Sequence, residues 1–184
     1  AGGLAAARYG RNAGLGAAAA AEIGGSFHAV DVSDPSSVAA GMAEVTAQHG
    51  AIHILVNCAG IAPPAKTVSR GAPHDPEVFR TTIAVNLMGS FFCASQAAAQ
   101  MIGQDPVTED GERGVIVNTA SVAAYEGQVG QVAYAASKGG IVGMTLPMAR
   151  DLADKGVRVC TIAPGLFLTP LMRGLPQEVQ DSLG

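Results

Sequence analysis

The sequence predicts an α/β fold built on a parallel sheet, and three observations predict it. Short apolar runs alternate with longer amphipathic segments along the 184 residues. Twenty-four glycines suit a fold with many tight strand-to-helix turns. Chemically suggestive residues stand at the end of one apolar run after another: Asp31, Asn57 to Gly60, Ser121, and Pro164–Gly165. Buried strands alternating with helices imply βαβ units with right-handed crossovers. In such sheets ligands gather at the carboxyl ends of the strands, so this placement already points to a site.

The elements follow in order. Phe27–Val32 reads as a strand ending in D-V. Ser33 or Asp34 can cap the next helix, with Pro35 in its first turn, and the helix runs to about Gln48. His53–Val56 is a continuous apolar strand entering N-C-A-G at Asn57–Gly60. A polar, proline-bearing loop continues to about Asp75, and Pro76 to Met101 is one long helix, rich in small residues in its second half. Asp105–Arg113 is an acidic surface loop, and Gly114–Asn118 a third buried strand. Ala133–Lys155 is a second long helix, and Val157–Ile162 a fourth strand ending in A-P-G.

Composition narrows the function classes. The length suits one domain, residues 1–184, with enough material for a core. A net charge of −4 without clustered Lys or Arg offers no footprint for nucleic acid. No uninterrupted apolar stretch of roughly 18 residues occurs, so no membrane span is expected. The first residues, A-G-G-L-A-A-A-R-Y-G, lack signal-peptide architecture. Cys58, Cys93 and Cys160 each sit in an apolar run and read as reduced, buried thiols of a cytoplasmic protein. The histidines at 28, 49, 53 and 74 show no ligand spacing, so no metal site is expected.

The chemistry concentrates in Ser121–Lys138, S-V-A-A-Y-E-G-Q-V-G-Q-V-A-Y-A-A-S-K. Tyr134 and Lys138 are one helical turn apart and so share a face. A free phenol titrates near ~10, too high for proton exchange at neutral pH, and an adjacent ammonium favours the phenolate. Ser121, 13 positions before Tyr134, can return through a loop to bond the same substrate oxygen. The plain alternative is an aromatic and a lysine on an ordinary helix. N-C-A-G lets backbone approach a flat ligand, because Ala59 and Gly60 leave space, while the Asn57 amide can tie neighbouring strands. Asn86, in I-A-V-N-L-M-G, is a polar residue in an apolar helix and needs partners. A helix opened locally there can hold a water linked to Lys138. Pro164–Gly165 breaks the chain after a strand and can wall off a ring-shaped cofactor. Gly2 and Gly3 are candidates for a phosphate-cradling turn.

Taken together, N-C-A-G, Asn86, Ser121, Tyr134-x-x-x-Lys138 and Pro164–Gly165 resemble the short-chain dehydrogenase/reductase family over roughly Asp31 to Leu171. The runs around Tyr134 and T-I-A-P-G-L-F-L-T-P-L look closest to its type II 3-hydroxyacyl-CoA dehydrogenase branch, which also acts on hydroxysteroids. The resemblance implies a Rossmann-type doubly wound parallel sheet with helices on both faces, NAD as cofactor with NADP not excluded, a secondary-alcohol substrate, and a homotetramer. It makes Tyr134 the general acid/base, Lys138 its partner and a ligand of the nicotinamide ribose, Ser121 the holder of the substrate oxygen, and Asn86 a support for the proton relay. Asp31 and Val32 would lie beside the adenine, and Asn57, Ala59 and Gly60 would flank its ribose. Pro164, Gly165, Leu166 and Phe167 would border the nicotinamide, Thr169 its amide or the phosphates, Gly3 the phosphate loop, and Gln131 the substrate.

Departures accompany the match. The family opens with a strand and T-G-x-x-x-G-x-G, of which only A-G-G-L-A remains, with Ala5 where the third glycine is expected. About six residues stand between that loop and Arg11–Gly16, where most of a helix and a second strand are expected. The first two strands and the C-terminal part are therefore expected to be missing, and with them the acidic residue that selects NAD. Alternatives are an NADPH-dependent 3-oxoacyl-carrier-protein reductase and a non-catalytic nucleotide-binding protein.

Overall fold

In the computed structural model, residues 5–167 are described, together with 173, 177 and 178. Gly3 and Thr169 lie outside the described residues. The architecture is α/β, and every strand of four or more residues pairs in parallel. Strand β1 (Ala7–Gly10) pairs with β2 (Ser26–Ala29), and helix α1 (Ala13–Glu22) connects them. A second sheet has the order β3 (Ile54–Asn57), β6 (Gly114–Thr119), β7 (Val157–Ile162). Between these strands run α2 (Pro35–His49), α3 (Pro76–Ile83), α4 (Gly89–Ile102) and α5 (Val132–Leu152).

Strand β1 corrects the expectation that the second strand is missing. Ala-Arg-Tyr-Gly is too short and too polar to read as a strand alone. Its partner makes it one: Arg8 stands opposite Phe27, and Tyr9 opposite His28. Tyr9 then packs into the core beside Met42 and Val38. Strand β2 ends at Ala29, so Val30 to Val32 lie just past its carboxyl end.

Capping decides the helix starts. Asp34 accepts from Ser36 N at 2.9 Å ahead of Pro35, and Asp75 accepts from Glu77 N at 2.8 Å ahead of Pro76. The loop before Pro76 holds a small antiparallel ribbon, β4 (Val68–Ser69) with β5 (Ala72–Pro73), turned by Arg70 and Gly71, both at positive φ. The helix expected over Pro76–Met101 is interrupted by one π-helical turn, Ala84–Met88, centred on Asn86.

The main core joins α2, α4, α5 and the second sheet through Met42, Ala97, Met101, Ile116, Met148 and Val159. Burying a side chain such as Ile116, fully sequestered, contributes roughly 1.5–3 kcal/mol. Gly89 lets α4 reach Val32, since a Cβ there would lie 2.8 Å from Val32 Cγ2 and 3.0 Å from its carbonyl oxygen. A polar network staples β2 to α2: Ser26 Oγ lies 3.0 Å from Nε2 of both His28 and His49, and His28 Nδ1 lies 2.9 Å from Glu44.

One expectation needs correction. Cys93 is buried, but Cys58 and Cys160 are exposed. Cys160 alternates outward on β7, where Val157 and Val159 take the core side, and Cys58 follows the end of β3. All three thiols are free. The stretch Pro76–Ile102 is long and apolar enough by composition to cross a membrane, although no uninterrupted apolar run marks it. Within this fold its Cys93, Ala94, Ala97 and Met101 fill the core instead.

Candidate active site

Three strand ends and one helix build the site. Strand β6 ends at Thr119, and its carbonyl accepts from Lys138 Nζ at 2.7 Å. That bond draws α5 onto the carboxyl edge of the sheet. Lys138 is 5% exposed, and its amine sits over the Tyr134 ring, 5.6 Å from the centroid. Burial pulls the Lys138 pKa below its usual value, opposed by the neighbouring Cys58. The i, i+4 pair predicted from sequence therefore meets, with the lysine inside and Tyr134 half-buried at the surface of the cleft.

Asn86 binds the opposite wall to α5. Its Oδ1 accepts from Ile61 N at 2.8 Å, and its Nδ2 donates to Ile61 O at 2.9 Å and to Ser137 Oγ at 3.0 Å. Ser137 Oγ in turn donates to Tyr134 O at 2.7 Å. The π turn is where this asparagine turns inward, fully buried. The local opening expected at Asn86 is present, and its amide is satisfied by backbone and Ser137. Ile61 and Ser137 were missed from sequence; Ser137 precedes Lys138, but a serine in a helix carries no signal of its own.

Ser121 follows β6 and starts a 3-10 turn, Val122–Ala124, its Oγ accepting from Ala123 N at 3.1 Å. Val122 N donates to Pro164 O at 2.9 Å, which brings Pro164–Gly165 at the end of β7 beside Ser121. Gly165, Leu166 and Phe167 are exposed on the same edge. Gln131 stands at the start of α5 without capping it through its side chain; its Oε1 accepts instead from Gln128 N, at 2.9 Å, in the loop before the helix. It lines a cleft of about 440 Å³ between Ala65–Val68 and the Gly127–Val132 loop. A larger cleft of about 790 Å³ between α3 and the β4–β5 ribbon, lined by His74 and Phe79, holds none of the predicted residues.

At the β1, β2 and β3 ends, the predicted residues divide. Asn57 is buried and ties the sheet together, donating to Ser90 O at 3.0 Å and Asn118 Oδ1 at 2.9 Å. Val32 packs among Val30, Val38 and Cys93. Neither side chain faces solvent. Ala59, Gly60 and Asp31 do lie on the open edge. Asp31 Oδ1 accepts from Ser33 N at 3.0 Å and Ser33 Oγ at 2.6 Å, and its Oδ2 lies 3.6 Å from Arg11 Nε. These Ser33 bonds, then Arg11, hold the Asp31 carboxyl below its ordinary value.

A nicotinamide nucleotide fits this edge on one observation in particular. A Cβ on Gly60 would lie 3.4 Å from Asn86 Oδ1 and 3.9 Å from Lys138 Nζ, so the missing side chain leaves a hollow beside both groups. Lys138 Nζ spends one donor on Thr119 and keeps the others. Among the described residues, no cluster of three His, Cys, Asp or Glu side chains suits a metal.

Comparison with known proteins agrees. Residues 1–180 match the short chain dehydrogenase family. Human 3-hydroxyacyl-CoA dehydrogenase type-2 is 52% identical over 159 residues, 85% of this chain and 60% of the human protein. The 3-oxoacyl-[acyl-carrier-protein] reductase of Thermotoga maritima is 34% identical over 155 residues, 84% of this chain and 58% of that protein. Among solved structures, 3-hydroxyacyl-CoA dehydrogenase type-2 from Mycobacterium avium superposes with a TM-score of 0.84 at 40% identity, covering 91% of this chain and 67% of that one. Gluconate 5-dehydrogenase from Burkholderia cenocepacia, in complex with NADP and tartrate, gives 0.79 at 32% identity, covering 92% and 64%. The chain thus spans about 60% of the length of the human relative.

Proposed function

Given that the chain belongs to the short-chain dehydrogenase family, we propose that it is an oxidoreductase exchanging a hydride between a nicotinamide nucleotide, NAD(H) by resemblance, and a secondary alcohol or ketone. The substrate class is a 3-hydroxyacyl-CoA, as the names of its relatives suggest, or a hydroxysteroid, as the family resemblance implies. The observation that carries the reading is the buried Lys138 amine, held by Thr119 O and lying over the Tyr134 ring at the carboxyl edge of the sheet.

When bound, the nucleotide supplies or accepts the hydride. The chain's residues handle the proton and the geometry. Tyr134 Oη takes the proton from the substrate hydroxyl on oxidation and returns it on reduction. Ser121 Oγ donates to the substrate oxygen and fixes its distance from Tyr134. The Lys138 amine, pre-positioned by Thr119 O, offers its remaining donors to the nucleotide ribose. Asn86 keeps Ile61 and α5 in register, and so keeps the hollow at Gly60 open.

The chain acts on fatty-acyl or steroid alcohols in the cytoplasm as a homotetramer in this reading. Three free thiols support the compartment. Half-exposed apolar side chains on the α4 and α5 segments, Phe91 and Leu146 among them, support helix-to-helix association. A steady-state assay with NAD and NADP against a panel of acyl-CoA and steroid alcohols tests it. Turnover of at least one 3-hydroxyacyl-CoA or hydroxysteroid is expected, and turnover of none refutes the reading. A second reading, an NADPH-dependent 3-oxoacyl-carrier-protein reductase, is favoured by the basic residue Arg11 at the end of β1.

A further inference from the structure

The amino end of β2 gathers side chains that the proposed reaction does not use. Ser26 and His28 stand two positions apart on this strand and so share the face turned to α2. Glu44 and His49 come from α2. Both imidazoles aim Nε2 at one point, since Ser26 Oγ lies 3.0 Å from each. His28 Nδ1 lies 2.9 Å from Glu44 Oε2. An ionised carboxylate only accepts, so Nδ1 carries the hydrogen and His28 Nε2 presents its lone pair to Ser26. The Ser26 hydroxyl owns one hydrogen and can serve one such lone pair, whereas a cation near the same point accepts from both imidazoles.

The arrangement matches what a cation of the zinc class needs. In a tetrahedral site with metal–nitrogen bonds of about 2.0–2.1 Å, neighbouring ligand atoms stand about 3.3 Å apart. The two separations between Ser26 and the imidazoles are close to that edge length. The contact from Glu44 to His28 is the carboxylate–histidine pairing that fixes the tautomer and orientation of a metal-bound imidazole. His49 stands in the last turn of α2, where the carbonyl end of the helix dipole favours positive charge. The His28 side chain is 8% exposed and that of Glu44 63%, so the cluster is anchored in the core and open at its rim. Only two side chains of the usual ligand types converge, and no group of three does so among the described residues, so a hydroxyl and water must complete the shell. Neutral imidazoles favour zinc, nickel or copper over magnesium or calcium.

We propose that His28 Nε2, His49 Nε2 and Ser26 Oγ bind a single divalent cation of the zinc class, with Glu44 behind His28. Bound there, the ion ties the first residue of β2 to the last turn of α2. The site lies at the opposite end of β2 from Asp31, so it is independent of the dehydrogenase reading. The spacing of the histidines in the sequence gives no sign of it, because residues 28 and 49 meet only once β2 lies beside α2.

Calorimetric titration of the full chain with Zn²⁺ alone tests this without catalysis. Saturation at a single ion per chain is expected, and the melting midpoint should rise with the Zn²⁺ concentration. His49→Ala, at a partly exposed position, should weaken binding by at least about 10-fold. Glu44→Gln, which touches no ion and acts through His28, should weaken it by about 10-fold. His53→Ala, at an exposed imidazole outside the cluster, should leave the affinity unchanged. Nitrogen NMR of the imidazole rings gives a readout that needs no variant: Nε2 of His28 and of His49 should shift on adding Zn²⁺, while His28 Nδ1 stays protonated. Absence of saturable binding, an unchanged affinity in His49→Ala, or shifts confined to His53 and His74 overturns the proposal. So does binding that disappears when the exposed thiols of Cys58 and Cys160 are blocked.

Discussion

Asn86 grips Ile61 through both ends of its side-chain amide: Oδ1 accepts from Ile61 N at 2.8 Å, while Nδ2 donates to Ile61 O at 2.9 Å. An amide side chain doing this imitates one rung of a sheet, and it fastens the segment after β3 to the π turn between α3 and α4. Since Nδ2 also reaches Ser137, one side chain fixes both walls of the candidate cleft.

Asn86→Leu should therefore destabilise the fold by about 2–4 kcal/mol, because the partly buried Ile61 N–H and carbonyl, and the buried Ser137, lose their partner. Urea unfolding monitored by circular dichroism measures it. A loss below about 0.5 kcal/mol would mean that the clamp is not a structural tie.

Gly89 has no room for a side chain. Gly89→Ala would set a methyl against Val32 Cγ2 and the Val32 carbonyl, and the backbone oxygen cannot swing aside. A cost of about 1–3 kcal/mol is expected for such overpacking. An unchanged midpoint in the same urea titration would count against close contact between α4 and the end of β2.

Alkaline pH should weaken the fold through Cys93. Burial pushes its thiol from the ordinary 9.0 up to about 11, so the folded chain keeps a proton that the unfolded chain releases. The stability is fully present below pH 9.0 and is lost as pH climbs toward about 11, on the order of 2–3 kcal/mol in all. Tyr9, whose half-buried phenol is pushed well above 10.0, adds a loss of the same sign from pH 10.0 upward. Unfolding free energies measured across this range should fall for the wild type, and less steeply for Cys93→Ala. Parallel slopes would exclude the thiol as a source.

Lys138 titrates with the opposite sign. Burial disfavours its ammonium, so the unfolded chain binds a proton more readily than the folded one. Its contribution to stability rises with pH through the window just below the usual lysine value. Lys138→Met should thus remove that rise and leave stability near neutral pH unchanged or slightly higher, while turnover falls by at least about 100-fold. A clear loss of stability in the variant would show the amine to be a structural strut.

Much of this was legible in the sequence because the signals were local. Asp34 and Asp75 announce two helix starts ahead of a proline, and the opening of the helix at Asn86 follows from a buried amide in an apolar run. Strand β1 was not legible. Four residues containing an arginine and a glycine become a strand only because Ser26–Ala29 lies beside them, and that pairing is tertiary. The same limit hid Arg11, whose meaning comes from standing at a strand end. The exposure of Cys58 and Cys160 is likewise decided by which face of the sheet another element covers. Within the candidate site, Tyr134 and Lys138 meet as their spacing implied, and Asn86 reaches the same helix through Ser137. Asn57 ties β3 to β6 as its amide suggested, whereas Val32 packs into the core, since an apolar run does not reveal which of its residues turns inward.

Tyr134 Oη is the group that moves the substrate proton in the proposed reaction. Tyr134→Phe removes that one oxygen from a half-buried ring and keeps the Lys138 contact to its face. Turnover of the best alcohol in the panel should fall by at least about 1,000-fold, while the nucleotide dissociation constant, measured by titration, stays within about 3-fold of wild type. Turnover retained within about 10-fold of wild type would contradict the assignment.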